Sequence, residues 1–150
     1  MTGNYLIRKY EPGDYDAIAH LWQVTGLGGP ERGDDKETIE RSITLGGIML
    51  IVEMEHSGRI AGTSWMTFDG RRIHLHHFGI DPEIQGRGVG RSLLTESLKM
   101  VKKLGYQVKI EVHDKNERAL SLYLKNGFIP LGDYHVYMIR EPEKINRDHQ

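Results

Sequence analysis

The segment Gln85-Gly86-Arg87-Gly88-Val89-Gly90 decides the fold, because three glycines and an arginine stand immediately before a helical pattern from Arg91 to Leu104. Glycine has no Cβ, so a glycine-rich turn exposes a row of backbone N–H groups at the start of the helix. The helix dipole and the unpaired donors of the first turn favour an anion at that point. The segment therefore predicts a cradle for a diphosphate group.

Two common phosphate-binding motifs do not fit this segment. The phosphate loop of nucleotide triphosphatases requires a lysine followed by serine or threonine after the glycines, and this sequence has neither there. The dinucleotide fingerprint G-x-G-x-x-G would start at Gly86 or Gly88. Its third glycine is replaced by Arg91 in the first register and by Leu93 in the second.

The segment resembles the Q/R-x-x-G-x-G/A motif of the GCN5-related N-acetyltransferases, with Gln85, Gly88 and Gly90 at the fixed positions. Ile73 to Ile80 resembles the fourth strand of that family, and Glu111 to Phe128 resembles its fifth strand and the following helix. The resemblance covers nearly the whole chain. It implies an α/β (α+β) single-domain fold, with a central mixed, mostly antiparallel sheet and helices on both faces.

Composition narrows the function classes. The chain has 150 residues, enough for one domain, which we place at residues 1–140 with a polar tail at 141–150. With 20 basic and 21 acidic residues, it has no electrostatic footprint for nucleic acid or an anionic membrane. It has no cysteine, so a thiol nucleophile and thiolate metal ligands are excluded. Without a signal pattern or a long apolar run, we expect a cytoplasmic protein.

Periodicity and turn residues predict the elements along the chain. We expect a first helix capped by Asp14, a glycine-rich connector without regular structure, and a second helix capped by Asp34 or Asp35. Helix 117–125 is expected to begin at the cap Asn116. The remaining elements are strands at 5–10, 48–53, 59–68, 72–80 and 107–112, a helix at 91–104, and a final strand pair at 128–131 and 135–140.

The resemblance implies that this region binds coenzyme A. In the family, the pyrophosphate lies on the amides of the glycine turn, and the pantetheine arm runs along the fourth strand like an extra strand. Glycine within a strand is typical of a place where another backbone approaches closely, which suits Gly79. The implied cofactor-binding residues are Phe78, Gly79, Ile80, Gln85, Gly86, Arg87, Gly88, Val89, Gly90, Arg91, Ser92, Asn116 and Tyr123.

The resemblance also implies roles in acyl transfer. Tyr123 stands where many members carry the tyrosine that protonates the sulfur of coenzyme A. Asn116 either caps its helix or also binds the pantetheine arm. For the developing oxyanion we expect the backbone N–H of Ile80 or a neighbour.

The general base has two sets of candidates. His74 and His76 occupy the place of a histidine pair in the aralkylamine branch of the family, and their spacing puts both rings on one face of the strand. Glu111 competes, because Ile110-Glu111-Val112 resembles the setting of the base in the branch that acts on ribosomal-protein N-termini. Both alternatives stay open at this point.

We therefore expect an acetyl-CoA-dependent N-acetyltransferase that transfers the acetyl group directly to a primary amine, in the first instance of a small molecule. The alternatives are a peptide or protein N-terminal acetyltransferase and a non-catalytic coenzyme A-binding regulator. The acceptor site should lie among the first two helices, their connector and the last hairpin. We expect no metal, although His74, His76, His77 and His113 raise that question. A homodimer is compatible with this interpretation.

Overall fold

The computed structural model describes residues 4–145, which form two compact units that divide after His113. The described part of the first unit holds a five-stranded sheet and three α-helices, and the described part of the second unit holds one α-helix. The strands are β1 (Tyr5–Lys9), β2 (Ile48–Met54), β3 (Ile60–Phe68), β4 (Ile73–Ile80) and β5 (Val108–Ile110). The helices are α1 (Tyr15–Thr25), α2 (Lys36–Thr44), α3 (Val89–Leu104) and α4 (Glu117–Lys125).

The sheet follows the order of the chain, β1-β2-β3-β4-β5. The first four strands pair antiparallel. α1, α2 and their connector join β1 to β2, whereas short turns at His56-Ser57-Gly58 and Asp69-Gly70 join β2 to β3 and β3 to β4. The last pair, β4 with β5, is parallel, because α3 carries the chain back across the sheet. The predicted mixed, mostly antiparallel sheet is confirmed.

Adjacent residues of β3 show that helices cover both faces. The Trp65 indole N–H donates to Ser42 Oγ of α2 at 2.9 Å, and its ring stacks on Trp22 of α1 with centroids 5.7 Å apart. The preceding Ser64 points the other way, and its hydroxyl lies 2.7 Å from Ser97 Oγ of α3. Because successive strand residues alternate faces, α1 and α2 cover one face of the sheet and α3 covers the other.

Most helix boundaries have a local cause. The Asp35 carboxylate accepts from the Thr38 N–H at 2.8 Å, and Asn116 Oδ1 accepts from the Ala119 N–H at 3.3 Å, so both cap helices as predicted. Gly105, at φ 81°, ends α3 in the left-handed conformation. Helix α3 begins at Val89, two residues earlier than expected, so the glycine turn leads directly into the helix. Within residues 4–145, no helix combines the length and apolar character that a membrane span requires.

Asp14 departs from its predicted role as a cap. Its carboxylate makes no cap bond to α1 and instead accepts two hydrogen bonds from the Arg8 guanidinium, each at 2.9 Å. It also accepts from the Glu11 N–H at 2.7 Å. Arg8 donates further to Glu53 at 3.1 Å. Because a bidentate charged partner outcompetes a helix N–H, Asp14 ties the turn before α1 to β1 and β2.

The predicted strand pair at 128–131 and 135–140 is wrong, because the structure has no strand in these segments. Strands depend on ladder hydrogen bonds to a neighbour, and none forms here within the described part of the second unit. Tyr134 and Tyr137 are more than four-fifths exposed, so the apolar alternation is not matched by burial.

Two smaller expectations also change. The glycine-rich connector contains a single 3-10 turn at Pro30–Arg32, because proline fixes the φ angle that such a turn requires. The expected polar tail begins with a similar turn at Pro142–Lys144. Residues 146–150 of that tail lie outside the described residues.

Asp14→Asn should lower the free energy of unfolding at pH 7 by about 2 kcal/mol, because it weakens charged hydrogen bonds at a buried site. Burial opposes ionisation of Asp14, but the bonds from Arg8 and the Glu11 N–H outweigh it and lower its pKa. A carboxyl with a lowered folded pKa stabilises the fold above its unfolded pKa of about 3.9 and loses that contribution as the pH falls through the folded value. Urea unfolding from pH 7 to pH 3 should show the difference between parent and variant shrinking below about pH 4. A difference that stays constant over this range would contradict the assignment.

Candidate functional site

The glycine turn before α3 has the geometry that the sequence predicts for an anion cradle. Gly86 and Gly88 have φ angles of 81° and 80°, and Gly88 is the N-cap residue of α3. The first intrahelical bond runs from the Ser92 N–H to the Gly88 carbonyl at 3.0 Å. The N–H groups of Val89, Gly90 and Arg91 precede this bond, so helix geometry leaves them as donors at the helix end. Arg87 and Arg91 are exposed beside them.

Gln85 fastens this turn to the end of β4. Its side-chain amide donates to the Ile80 carbonyl at 2.9 Å. Arg59, at the start of β3, bridges the intervening turn through Asp81 at 2.6 Å and Glu83 at 3.1 Å. The position of the cradle relative to the strand is therefore set by side-chain bonds from both sides.

Ser92 stabilises the glycine turn through its hydroxyl and its backbone N–H. Its hydroxyl donates to the Gly88 carbonyl at 3.1 Å and accepts from the Tyr5 hydroxyl at 2.9 Å. Its backbone N–H is engaged with Gly88. Ser92 therefore stabilises the turn. The N–H groups left as donors at the N-terminus of α3 belong to the three preceding residues, Val89, Gly90 and Arg91.

Strand β4 has an open backbone edge beyond Leu75. It pairs with β5 only from Ile73 to Leu75, whereas β3 accompanies it as far as Ile80. Residues 76–80 therefore have a strand on one side, and no other strand in the described part of the first unit pairs with the opposite side. A strand edge without a neighbouring strand can accept an extended, hydrogen-bonding chain.

Strand alternation indicates which groups point to this open edge. The Asp81 N–H donates to the Ala61 carbonyl of β3 at 2.7 Å. Because backbone groups alternate sides along a strand, the N–H and carbonyl of Ile80 point away from β3. The bond from Gln85 to the Ile80 carbonyl agrees with this direction. The N–H that the resemblance implies for the oxyanion thus points to the open edge.

A β-bulge lies at His77 in the middle of this region. Thr63 and Trp65 of β3 face Gly79 and His76, so the single residue between them on β3 opposes two residues of β4, His77 and Phe78. His77 has a φ of 45°, and it is the one residue other than glycine with positive φ among residues 4–145. Its carbonyl accepts from the Thr63 hydroxyl at 2.7 Å, and that hydroxyl accepts from the Trp22 indole at 2.9 Å. These two hydrogen bonds, through the buried Thr63 side chain, therefore stabilise the bulge.

His74 and His76 share one face of β4, as the spacing predicts, with ring centroids 6.0 Å apart. His74 Nε2 lies 3.0 Å from Asp69 Oδ2 in the β3–β4 turn, whereas His76 Nε2 lies 2.9 Å from the Thr67 hydroxyl. Desolvation of the ring, followed by the charges of His77 and His74, lowers the pKa of His76. His76 is thus mostly neutral at pH 7, although the residue remains exposed.

His77 is a residue of this face that sequence reasoning did not select. Strict alternation would place it opposite His76, but the bulge turns both to the same face, with ring centroids 6.4 Å apart. Its ring lies against Trp22 and Trp65 at 4.5 and 5.2 Å. Its Nε2 lies 2.9 Å from Asp34 Oδ2, in the connector after α1. No sequence pattern indicates that a histidine adopts a positive φ, so the sequence could not predict this orientation of His77.

Glu111 is exposed directly after β5, and its charge acts to raise the pKa of His76. The first unit thus brings His76 and Glu111 within electrostatic range of each other. Among residues 4–145, no three histidine, aspartate or glutamate side chains are grouped as a metal site would require.

The two residues of the second unit lie on α4. Asn116 caps this helix, and Tyr123 is buried on it with its ring edge-on to Phe128, at a centroid distance of 5.5 Å. Burial raises the pKa of the Tyr123 phenol well above its ordinary value, so it stays protonated at neutral pH. A protonated phenol is a competent proton donor.

A cavity of about 270 Å³ adjoins the glycine turn on the side of β1 and β2. It shares Arg87 and Val89 with the turn but contains none of residues 76–80, so it is distinct from the open edge of β4. Its lining residues are Asn4, Tyr5, Met54, Glu55, Ile84, Arg87 and Val89.

Comparison with known proteins agrees with the glycine turn and the sheet. The family model described as "Acetyltransferase (GNAT) family" matches residues 15–128, which is more than half of the chain. The chain belongs to the GNAT acetyltransferase family. The match extends across both compact units.

Individual relatives add detail. A mycothiol acetyltransferase of Propionibacterium freudenreichii is 30% identical over 105 residues, covering 67% of this chain and 33% of that protein. The N-alpha-acetyltransferase RimI of Mycobacterium tuberculosis is 45% identical over 79 residues, covering 50% of this chain and 49% of that protein. The chain thus spans a third to a half of these two curated relatives.

The fold is also that of solved family members. The PaiA N-acetyltransferase of Thermoplasma acidophilum, solved in complex with coenzyme A, superposes with a TM-score of 0.68 at 23% identity. The match covers 84% of this chain and 90% of that one. At this identity, the likeness establishes the fold of this GNAT protein.

Gly88→Ala should weaken coenzyme A binding by about tenfold, because a Cβ at φ 80° is strained and relaxation would redirect the N–H groups of the helix mouth. Gly90→Ala is the matched control, since its methyl would lie 3.6 Å from Ile80 Cγ1, an ordinary contact, and the motif accepts alanine there. Isothermal titration of both variants with coenzyme A measures the difference. Equal affinities for the two variants would place the diphosphate elsewhere.

Proposed function

We propose that this protein is an acetyl-CoA-dependent N-acetyltransferase that transfers the acetyl group directly to a primary amine of a small molecule. The observation that carries the proposal is the open edge of β4, which ends at a left-handed glycine turn on the helix N-terminus. Membership of the GNAT family supports it. The mycothiol acetyltransferase relative, whose name identifies a small-molecule substrate, agrees with the choice of acceptor.

The residues of the open edge and the turn fit coenzyme A. Phe78, Gly79 and Ile80 offer an extended backbone, and alternation directs the Ile80 N–H outward. Val89, Gly90 and Arg91 offer helix-mouth donors to a diphosphate, and Arg87 adds a nearby cation. Asn116 Oδ1 is engaged as the α4 cap, so any contact with the pantetheine arm would use its amide nitrogen. When bound, acetyl-CoA supplies the activated acetyl thioester.

His76 is the general base that the geometry favours. It stands at the first position of β4 beyond the β5 pairing, it is exposed, and its lowered pKa keeps the imidazole able to accept a proton. His74 is held against the Asp69 carboxylate of the turn, in the part of β4 that β5 covers. Glu111 lies within electrostatic range of His76 and stays as the competing base.

Tyr123 is the proposed acid. The amine nitrogen forms a bond to the acetyl carbon as the carbon–sulfur bond breaks, and the departing thiolate requires a proton. A buried phenol with a raised pKa carries that proton at neutral pH. The proton lost by the amine goes to His76, so each proton is accounted for. The absence of cysteine removes a thiol relay and agrees with direct transfer.

A second acceptor class has a specific observation in its favour. The identity of 45% to a protein named N-alpha-acetyltransferase and the Ile110-Glu111-Val112 segment both favour a peptide N-terminus. An N-terminal α-amine is also a primary amine with a depressed pKa, so the same base and acid would serve it.

Release of free thiol from acetyl-CoA, measured over a panel of small amines and short peptides, tests the proposal. Tyr123→Phe should lower kcat by about 10²-fold or more, with little change in coenzyme A affinity, because the phenol acts on the leaving group. Parent activity in the variant would remove the acid role. Tight coenzyme A binding without amine-dependent thiol release in any mixture would instead identify a regulatory module.

The pH dependence identifies the base. In the parent, kcat/KM should rise with pH through an apparent pKa below the ordinary histidine value of about 6.5, because only the neutral imidazole accepts a proton. His76→Gln should lower kcat/KM by about 10²-fold and abolish this limb. His74→Gln should keep the limb. A limb that survives His76→Gln and is lost in Glu111→Gln would transfer the role to Glu111.

A further inference from the structure

A part-buried polar pair joins the connector between α1 and α2 to β4. Asp34 Oδ2 lies 2.9 Å from His77 Nε2, and both side chains are about 14% exposed. A carboxylate only accepts hydrogen bonds, so Nε2 of His77 carries the hydrogen. Asp34 also receives the Gly29 N–H at 3.4 Å, which folds the connector around the carboxylate.

Gly28 and Leu27 bring the same connector against β4. A Cβ at Gly28 would overlap His77 Nε2 and Asp34 Oδ2, so only glycine fits between the pair and the connector backbone. The Leu27 side chain occupies the space above Gly79. The connector thus lies directly over residues 77–79, beside the open edge.

This arrangement has three energetic costs, two at His77 and one at Asp34. His77 adopts a left-handed backbone that disfavours a side chain with Cβ. Its Nδ1 is buried and has no hydrogen-bond partner in the described structure. Asp34 places a carboxylate at a largely buried site. An apolar residue would avoid the last two costs, so stability alone does not account for the pair.

We propose that the Asp34–His77 pair is a positioning clasp that fixes the 26–35 connector as one wall of the acceptor site. This proposal rests on the proposed function, because the connector can affect the reaction only if an amine approaches the acetyl group beside Ile80. His77 acts through Asp34 on the connector, and His76 remains the proton acceptor. The clasp sets acceptor affinity and leaves coenzyme A binding to the edge and the glycine turn.

The test compares Asp34→Ala with Asp35→Ala in the full chain. Asp35 is the neighbouring carboxylate that caps α2 through the Thr38 N–H, so its loss weakens the same region without touching His77. Asp34→Ala should raise the KM of the best amine of the panel by about tenfold or more, with the dissociation constant of coenzyme A within about twofold of the parent. Hydrogen exchange of residues 26–35 should accelerate in Asp34→Ala.

Asp34→Asn supplies the conservative variant, because its amide oxygen can still accept from His77 Nε2. It should restore part of the acceptor affinity, and it serves as the second measurement if Asp34→Ala does not fold. An acceptor KM unchanged in both Asp34 variants, or raised equally in Asp35→Ala, would overturn the clasp while the enzyme stays active. A parent that binds coenzyme A but acetylates no amine would overturn the proposed function, and the clasp with it.

Discussion

The structure depends on the loss of pairing between β4 and β5 beyond Leu75. Up to that residue, β4 has a strand on both sides, and after it only β3 remains. A strand edge without a neighbouring strand is unfavourable unless other groups satisfy its N–H and carbonyl groups. Here Gln85 satisfies the carbonyl of Ile80, and the outward N–H of the same residue remains for a ligand chain. The edge and the glycine turn together form the proposed binding path for coenzyme A.

The bulge at His77 is the second constraint, because it changes which side chains of β4 point to each face of the sheet. An extra residue in β4 turns His76 and His77 to the same face, so three histidines line the side covered by α1 and α2. The opposite face of the strand packs Ile80 against Gly62 and Gly90, close to the mouth of α3. The proposed diphosphate donors and the proposed proton acceptor His76 therefore lie on different sides of one strand.

The sequence predicts the features that local rules determine. Glycines before a helical pattern predict the turn, and apolar alternation with Asp69-Gly70 predicts the antiparallel strands. The orientation of His77 could not be predicted, because a bulge interrupts the two-residue alternation of the strand and no residue type in the segment indicates a bulge. Asp14 stands at the predicted N-cap position of α1, but its carboxylate makes no cap bond because the distant Arg8 binds it instead. The strand pair predicted at 128–131 and 135–140 was wrong, because apolar alternation does not show whether a neighbouring strand is available for pairing. The roles of Tyr123 and Asn116 stay predictions.

A crystal structure with acetyl-CoA bound tests the central claim most directly. The account predicts a pantetheine arm running along residues 76–80 with a hydrogen bond from the Ile80 N–H, and a diphosphate on the N–H groups of Val89, Gly90 and Arg91. Coenzyme A lodged in another cleft, with the β4 edge still bare, would contradict it.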